Sequence, residues 1–187
     1  MVNIIRADSI PGMTPAALLE FLAGQAQQRQ NVVEIGSWRG RSTRALCDNA
    51  IGHVWAVDTF QGSEELLGDV AVMTRITGDP DWLYHDFMFN MRDCENLTVV
   101  RKPSLEAAAM FEDQFFDMIW IDGSHDYDNV KADILAWRPK LKPDGFMCGD
   151  DYQAEGVKKA YHELVNTPVP VHFTRLWGAQ FGVVDGI

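Results

Sequence analysis

The feature that most constrains the fold is an alternation of short, β-branched apolar runs with segments that repeat at helical spacing. The runs fall at residues 32–35, 54–57, 97–100, 118–121 and 146–148. Runs that are apolar on both faces and separated by helices belong to parallel strands covered on both sides. The expected class is therefore α/β, a Rossmann-like three-layer sandwich. Two more runs, 171–175 and 181–184, joined through Trp177-Gly178-Ala179, predict a C-terminal antiparallel hairpin, which brings the mostly parallel sheet to seven strands.

The helices have their own signals. Thr14-Pro15 reads as an N-cap with a first-turn proline, after which Leu18, Leu22 and Ala26 share one face. After Asp126, Val130, Ile134, Trp137 and Leu141 recur at helical spacing, and Pro143-Asp144-Gly145 closes that unit as a turn. Further helices are expected over 43–49 and 154–165. The stretch 61–95 is longer than a simple crossover and carries Trp82, Tyr84, Phe87, Met88 and Met91. It is either a lid that binds substrate or an extra helix pair packing a satellite core. A chain of 187 residues is expected to form one domain, 1–187.

Composition narrows the partners. A net charge of -11 repels a phosphate backbone, which argues against nucleic acid. No apolar run approaches the roughly 20 residues that span a bilayer. The first residues lack a secretory pattern, and the three cysteines, Cys47, Cys94 and Cys148, are scattered. These features predict a cytoplasmic protein with reduced thiols, no membrane partner, and homo-oligomerisation left open.

The strongest local signal is Glu34-Ile35-Gly36-Ser37-Trp38-Arg39-Gly40-Arg41-Ser42, between the first run and the next helix, where α/β sheets bind ligands. Gly36 and Gly40 let the backbone turn sharply, but Trp38 stands where a dinucleotide fingerprint needs its middle glycine. A nucleoside without a diphosphate remains. Asp58, at the end of the second run, is either its ribose ligand or a solvated strand-end carboxylate.

Residues 33–42 together with Ala56-Val57-Asp58-Thr59 resemble motifs I and II of class I S-adenosylmethionine (SAM) methyltransferases. Residues 116–125 and Leu141-Lys142-Pro143-Asp144-Gly145 resemble that family's fourth and fifth strands, so the likeness covers 31–152. The resemblance implies SAM as cofactor, with Glu34, Gly36, Ser37 and Ser42 around the methionine moiety and Asp58 on the ribose. Gly40 and Asp122 complete that set, and Ser104 lies near adenine unless it merely caps a helix over 105–111.

A second cluster is expected at the neighbouring strand ends, where Asp122, Asp150 and Asp151 would converge. Either they cap helices and face solvent, or three close anions hold a hard cation, Mg²⁺ with Mn²⁺ as substitute. The pattern is similar to the divalent-metal-dependent O-methyltransferases of catechols and antibiotic sugars, and His125 takes that subgroup's base position. Histidine where catechol enzymes commonly carry lysine points toward the sugar-modifying branch. The implied activity is methyl transfer from SAM to a hydroxyl of a small molecule, a sugar or another vicinal diol or catechol. The alternatives are a metal-independent methyltransferase, in which Asp122 and Asp150 only position substrate and amine, and a non-catalytic SAM-binding accessory protein.

Overall fold

A computed structural model describes residues 2–62, 66–165 and 175–180. The five apolar runs form β1 (Asn31–Ile35), β2 (His53–Asp58), β3 (Leu97–Arg101), β4 (Phe116–Ile121) and β5 (Leu141–Gly149), all parallel. A sixth strand, β6 (Trp177–Gln180), pairs antiparallel with β5, and the sheet order is β3-β2-β1-β4-β5-β6.

Alternation along the strands explains the three layers. Val32, Val54, Met118, Trp120 and Cys148 point to one face and pack under α2 (Ala16–Ala26) and α3 (Arg41–Cys47). Val33, Ile35, Ile119 and Ile121 point to the other, under α6 (Ser104–Ala108), α7 (Tyr127–Trp137) and α8 (Glu155–Leu164). A short helix, α1 (Ile5–Ser9), precedes them against α3. Leu18, Leu22 and Ala26 are buried as their spacing implies, although Pro15, not Thr14, sits at the N-cap of α2. No helix among the described residues is long and apolar enough to cross a membrane.

Two local expectations are corrected. Leu141 belongs to β5, because Pro139 within the 3-10 turn Arg138–Lys140 ends the helical run before it. Pro143-Asp144-Gly145 then forms an irregularity inside β5, where pairing steps from Phe116↔Leu141 to Met118↔Phe146. At the other end, Trp177-Gly178-Ala179 is strand, not a hairpin connection. The indole of Trp177 lies over Gly149, where a Cβ would sit 2.4 Å from it, and its Nε1–H donates to the Asp150 carbonyl at 3.1 Å. That packing makes the segment the antiparallel partner of β5, at the end of the described sheet. Arg175 sits in a bend before it, while 171–174 and 181–184, expected as the hairpin's strands, lie outside the described residues, so five of the expected seven strands are seen, with β6 standing where their connection was expected.

The stretch after β2 holds α4 (Leu67–Thr77) and α5 (Trp82–Asn90). Trp82, Leu83 and Phe87 of α5 join Ile10, Ala56, Phe60 and Met91 in a satellite core, whereas α4 buries no residue and exposes Leu67, Val72 and Ile76.

Asp117 fastens the amino ends of three strands by accepting from the N–H groups of Gln30 and Asn31, at 3.1 and 2.8 Å, and from Lys142 Nζ at 2.8 Å. Burial pushes its carboxyl up, but Lys142 and the two N–H donors outweigh burial and hold it below the ordinary value. Asp117→Ala is expected to cost roughly 1–3 kcal/mol in urea unfolding at pH 7. A depressed folded-state value contributes stability above the unfolded carboxylate pKa that is lost as pH falls through the folded one. The gap between wild type and variant should accordingly narrow below about pH 4; a gap constant to pH 3 contradicts the assignment.

Candidate functional site

The site follows from strand register. Ile35 pairs with both Val57 and Ile121, and Ile121 pairs with Gly149, so the next residues, Gly36, Asp58, Asp122 and Asp150, form one row at the carboxyl ends. Backbone bonds continue the ladder into that row, from Gly36 N–H to Val57 O at 2.9 Å, Asp122 N–H to Ile35 O at 2.8 Å and Asp150 N–H to Ile121 O at 3.1 Å. The strand order reverses between β1 and β4, and the crevice of a doubly wound sheet opens at that point.

The turn after β1 is braced from below. Asp58 Oδ2 accepts the N–H groups of Ser37 and Trp38 at 2.8 and 2.9 Å, and its Oδ1 accepts that of Phe60 at 2.7 Å. Burial raises the Asp58 pKa against these donors. Three of a carboxylate's roughly four acceptor directions are thereby used, so Asp58 shapes the turn and has about one direction left for a ligand. Trp38 is held at φ 49° and turns its indole edge-on to Trp82, with ring centres 6.2 Å apart. Gly36 has φ +87°, and a Cβ there would lie 2.2 Å from the Asp122 carbonyl oxygen. Gly40, at φ +88°, is glycine because α5 lies against it, and a Cβ there would meet Met91 Cε at 2.8 Å. Gly40 lines neither of the two cavities beside the turn.

These two adjoining cavities share Gly36, Trp38 and Asp122. The larger, about 670 Å³, has Asp58 on one side and Ser104, Leu105 and Asp133 on the other. The smaller, about 290 Å³, is bounded by Ser37, Ser42, His125, Asp150, Asp151 and Arg175. Glu34 is fully buried and lines neither cavity, with Thr43 donating to its Oε2. Burial pushes its pKa up to about 7, and the neighbouring hydroxyls, those of Ser42 and Thr43 foremost, offset only part of that. Glu34 Oε1 and Ser37 Oγ are buried without a hydrogen-bond partner among the described residues. Ser104 is not a cap; Pro103 occupies that position in α6, and the Ser104 hydroxyl is engaged with Asp133 and Trp137.

Carboxylate oxygens of Asp122, Asp150 and Asp151 lie within 4.8 Å of one another. None of the three is a helix cap, since Asp126 caps α7 and Ala154 precedes α8. Burial first, then the charges of Asp150, Glu34 and Asp151, pushes Asp122 well above the ordinary carboxylate range. Burial also raises Asp150 despite Arg175, whereas His125 and Arg175 outweigh burial and lower Asp151. His125 Nε2 is 2.8 Å from Asp151 Oδ2, and Asp151 itself has φ 56°.

Sequence reasoning asked for a cation here and missed one that the chain supplies. Arg175 reaches Asp150 through Nε at 3.1 Å and Nη2 at 2.9 Å, and Asp151 through Nη2 at 2.9 Å. A single guanidinium faces three carboxylates. Asp133 was missed as well, and its signal was present: an acid on the apolar stripe of α7, between Val130 and Trp137.

A family model described as "Methyltransferase domain" matches residues 33–152. Protein y4gI of Sinorhizobium fredii (strain NBRC 101917 / NGR234) is 33% identical over 124 residues, 63% of this chain and 12% of that protein, so the chain spans about an eighth of that relative's length. Solved structures share the fold at low identity. The O-methyltransferase NovP has a TM-score of 0.64 and 18% identity over 88% of this chain and 79% of its own. An O-methyltransferase from Bacillus cereus in complex with SAH has a TM-score of 0.60 and 18% identity over 87% and 75%. CalS11, a TDP-rhamnose 3'-O-methyltransferase, has a TM-score of 0.60 and 13% identity over 90% and 82%.

The row at the strand ends tolerates no side chain at Gly36. Gly36→Ala combines a left-handed conformation with a collision against the Asp122 backbone, and is expected to destabilise the fold by at least about 2 kcal/mol in denaturant titration. A variant as stable as wild type contradicts the close approach of β1 and β4.

Proposed function

The chain belongs to the methyltransferase domain family, and from that premise we propose that it transfers a methyl group from SAM to a hydroxyl of a small molecule, a sugar or another vicinal diol or catechol. The observation that carries this reading is the shared row, in which the braced turn of Gly36 and Asp58 adjoins Asp122 and Asp150 along one crevice. The larger cavity suits the nucleoside and the smaller the reacting groups. Glu34 Oε1 and Ser37 Oγ, buried and unpartnered among the described residues, fit a polar amino-acid end beside the turn. A carboxylate-lined crevice also suits a sulfonium cation.

His125 is assigned as the base that takes the acceptor hydroxyl's proton. The acceptor oxygen then bonds to the methyl carbon, the carbon–sulfur bond breaks, and its electron pair stays on sulfur in S-adenosylhomocysteine. Asp151 orients the imidazole through the 2.8 Å contact. Asp122, Asp150 and Asp151 form an all-oxygen donor set that fits Mg²⁺ or Mn²⁺. Bound there, such an ion would acidify a chelated hydroxyl.

A metal-independent reading is favoured by a specific observation, the three contacts that Arg175 makes to Asp150 and Asp151. A guanidinium so placed already neutralises part of the cluster, and a metal has to displace it.

Calorimetric titration separates these readings. SAM is expected to bind wild-type protein at one site, and absence of binding sinks the methyltransferase assignment. Mn²⁺ is expected to bind wild type, to bind Arg175→Gln roughly tenfold or more tightly because a charge-assisted contact no longer competes, and to be lost in Asp150→Asn. If neither wild type nor Arg175→Gln takes up Mn²⁺, the metal-independent reading stands with Arg175 as the resident cation.

A further inference from the structure

Two thiols that line neither cavity of the crevice meet where two segments of the chain are fastened together. Cys47 ends α3 and is buried, and Cys94 sits half-buried in the turn between α5 and β3, beside the exposed Asp93 and Glu95. Arg44 of α3 ties the two segments, donating to the Asn90 carbonyl at 3.1 Å and to the Asp93 carboxylate. Asn96 closes the other side, its Nδ2 donating to the Cys47 and Gly52 carbonyls at 3.1 and 3.2 Å. Polar anchors on both sides thus hold the two sulfurs together. Cys94 lies outside any helix or strand, so no element has to break for the sulfurs to reach the geometry of a disulfide.

The pair is chemically unequal. The Cys47 thiol donates to the Cys94 sulfur, and the Cys94 thiol reaches Met91 Sδ at 3.9 Å. The bond to Cys94, together with burial, pushes the Cys47 thiol well up. The bond from Cys47, with the guanidinium of Arg44, outweighs burial and holds the Cys94 thiol below its ordinary value. A thiolate, not a thiol, attacks a disulfide, and the more exposed partner with the lower value is the one that reacts. Cys148 in β5 is fully enclosed, and burial pushes its thiol well up, so it serves as an internal control.

We propose that Cys47 and Cys94 form a reversible dithiol–disulfide site, with Cys94 as the attacking sulfur, Cys47 as the resolving one and a small-molecule disulfide of the glutathione type as oxidant. The Cys94 thiol gives its proton to solvent, its thiolate attacks one sulfur of that disulfide, the S–S bond breaks, and one glutathione thiolate leaves. The mixed disulfide on Cys94 is uncharged at sulfur, so the leading cause of the raised Cys47 value disappears and Cys47 loses its proton to solvent. Its thiolate attacks the Cys94 sulfur and expels the second glutathione thiolate. Two cysteine thiols are oxidised to one disulfide, and the oxidant is reduced to two thiols; an excess of dithiol reverses both steps. The new bond joins α3, which begins at the glycine turn, to the segment after α5, and replaces the contact of Cys94 with Met91, the residue packed beside Gly40. The inference is independent of the cofactor reading.

The experiment exposes the fully reduced chain to excess oxidised glutathione at pH 8 under native conditions, alkylates the remaining thiols after unfolding, and reads intact mass and peptides by mass spectrometry. Of the three thiols, wild type is expected to keep only Cys148, to carry no glutathione, to yield a peptide pair joined through Cys47 and Cys94, and to regain all three on treatment with dithiothreitol. Cys47→Ser, without the resolving sulfur, is expected to stop with one glutathione on Cys94. Cys94→Ser is expected to lose thiols roughly tenfold or more slowly, because the sulfur left at the site is buried and protonated. Wild type that keeps all three thiols, or that retains glutathione on Cys94 without the internal bond, overturns the proposal. A bond made through Cys148, or oxidation of Cys94→Ser as fast as wild type, overturns it as well.

Discussion

The register of four parallel strands is the constraint from which everything at the site follows. Ile35, Val57, Ile121 and Gly149 lie side by side, so the residue after each meets its neighbours at the same height. A slip of one residue in any strand would invert its faces, exposing Val33 or Val32 and removing an acid or a glycine from the row. Core packing and site geometry are thus the same specification. The buried alternation on both faces, with Trp120 on one side and Ile119 on the other, enforces it.

Charge is then managed within that row. Asp58 uses most of its acceptor capacity on the turn above it, a rigid cradle made before any ligand arrives. Asp122, by contrast, is pushed up by burial and by three neighbouring acids, and Arg175 neutralises only part of that charge. A cluster short of positive charge attracts a cation, whether a divalent ion or the sulfonium of the proposed cofactor. Backbone strain concentrates at the same place: of the four non-glycine residues with positive φ among the described residues, three, Trp38, Phe60 and Asp151, flank the row. Such conformations persist only where the surroundings dictate them.

Much of this was legible in the sequence for identifiable reasons. Five strands were evident because each carries a short apolar run between helical segments, even at the edge strand β3 where only Val100 is buried, and the helix starting after Asp126 because its cap and stripe agree. Asp122, Asp150 and Asp151 were placed together by the topology of parallel strands, and the family resemblance added His125. What stayed hidden depends on long-range packing. Trp177 makes strand of an apparent turn by lying on Gly149, and Arg175 reaches back to Asp150, 25 residues earlier in the chain, and to Asp151 beside it. Gly40 looked like a ligand contact but answers to Met91 and Phe87. Ser104 was noticed in place of Asp133, since a hydroxyl after a strand is a familiar signal and an acid on an apolar helical face needs a partner to make sense of it.

The central claim is that one row of strand ends holds both the cofactor and the reacting groups. A crystal structure with S-adenosylhomocysteine tests it most directly. The ribose is expected beside Asp58, the base between Leu105 and Asp133, and the sulfur directed into the smaller cavity toward Asp122 and His125. A ligand whose sulfur points away from Asp122 and His125, or whose nucleoside lies outside the larger cavity, would contradict it.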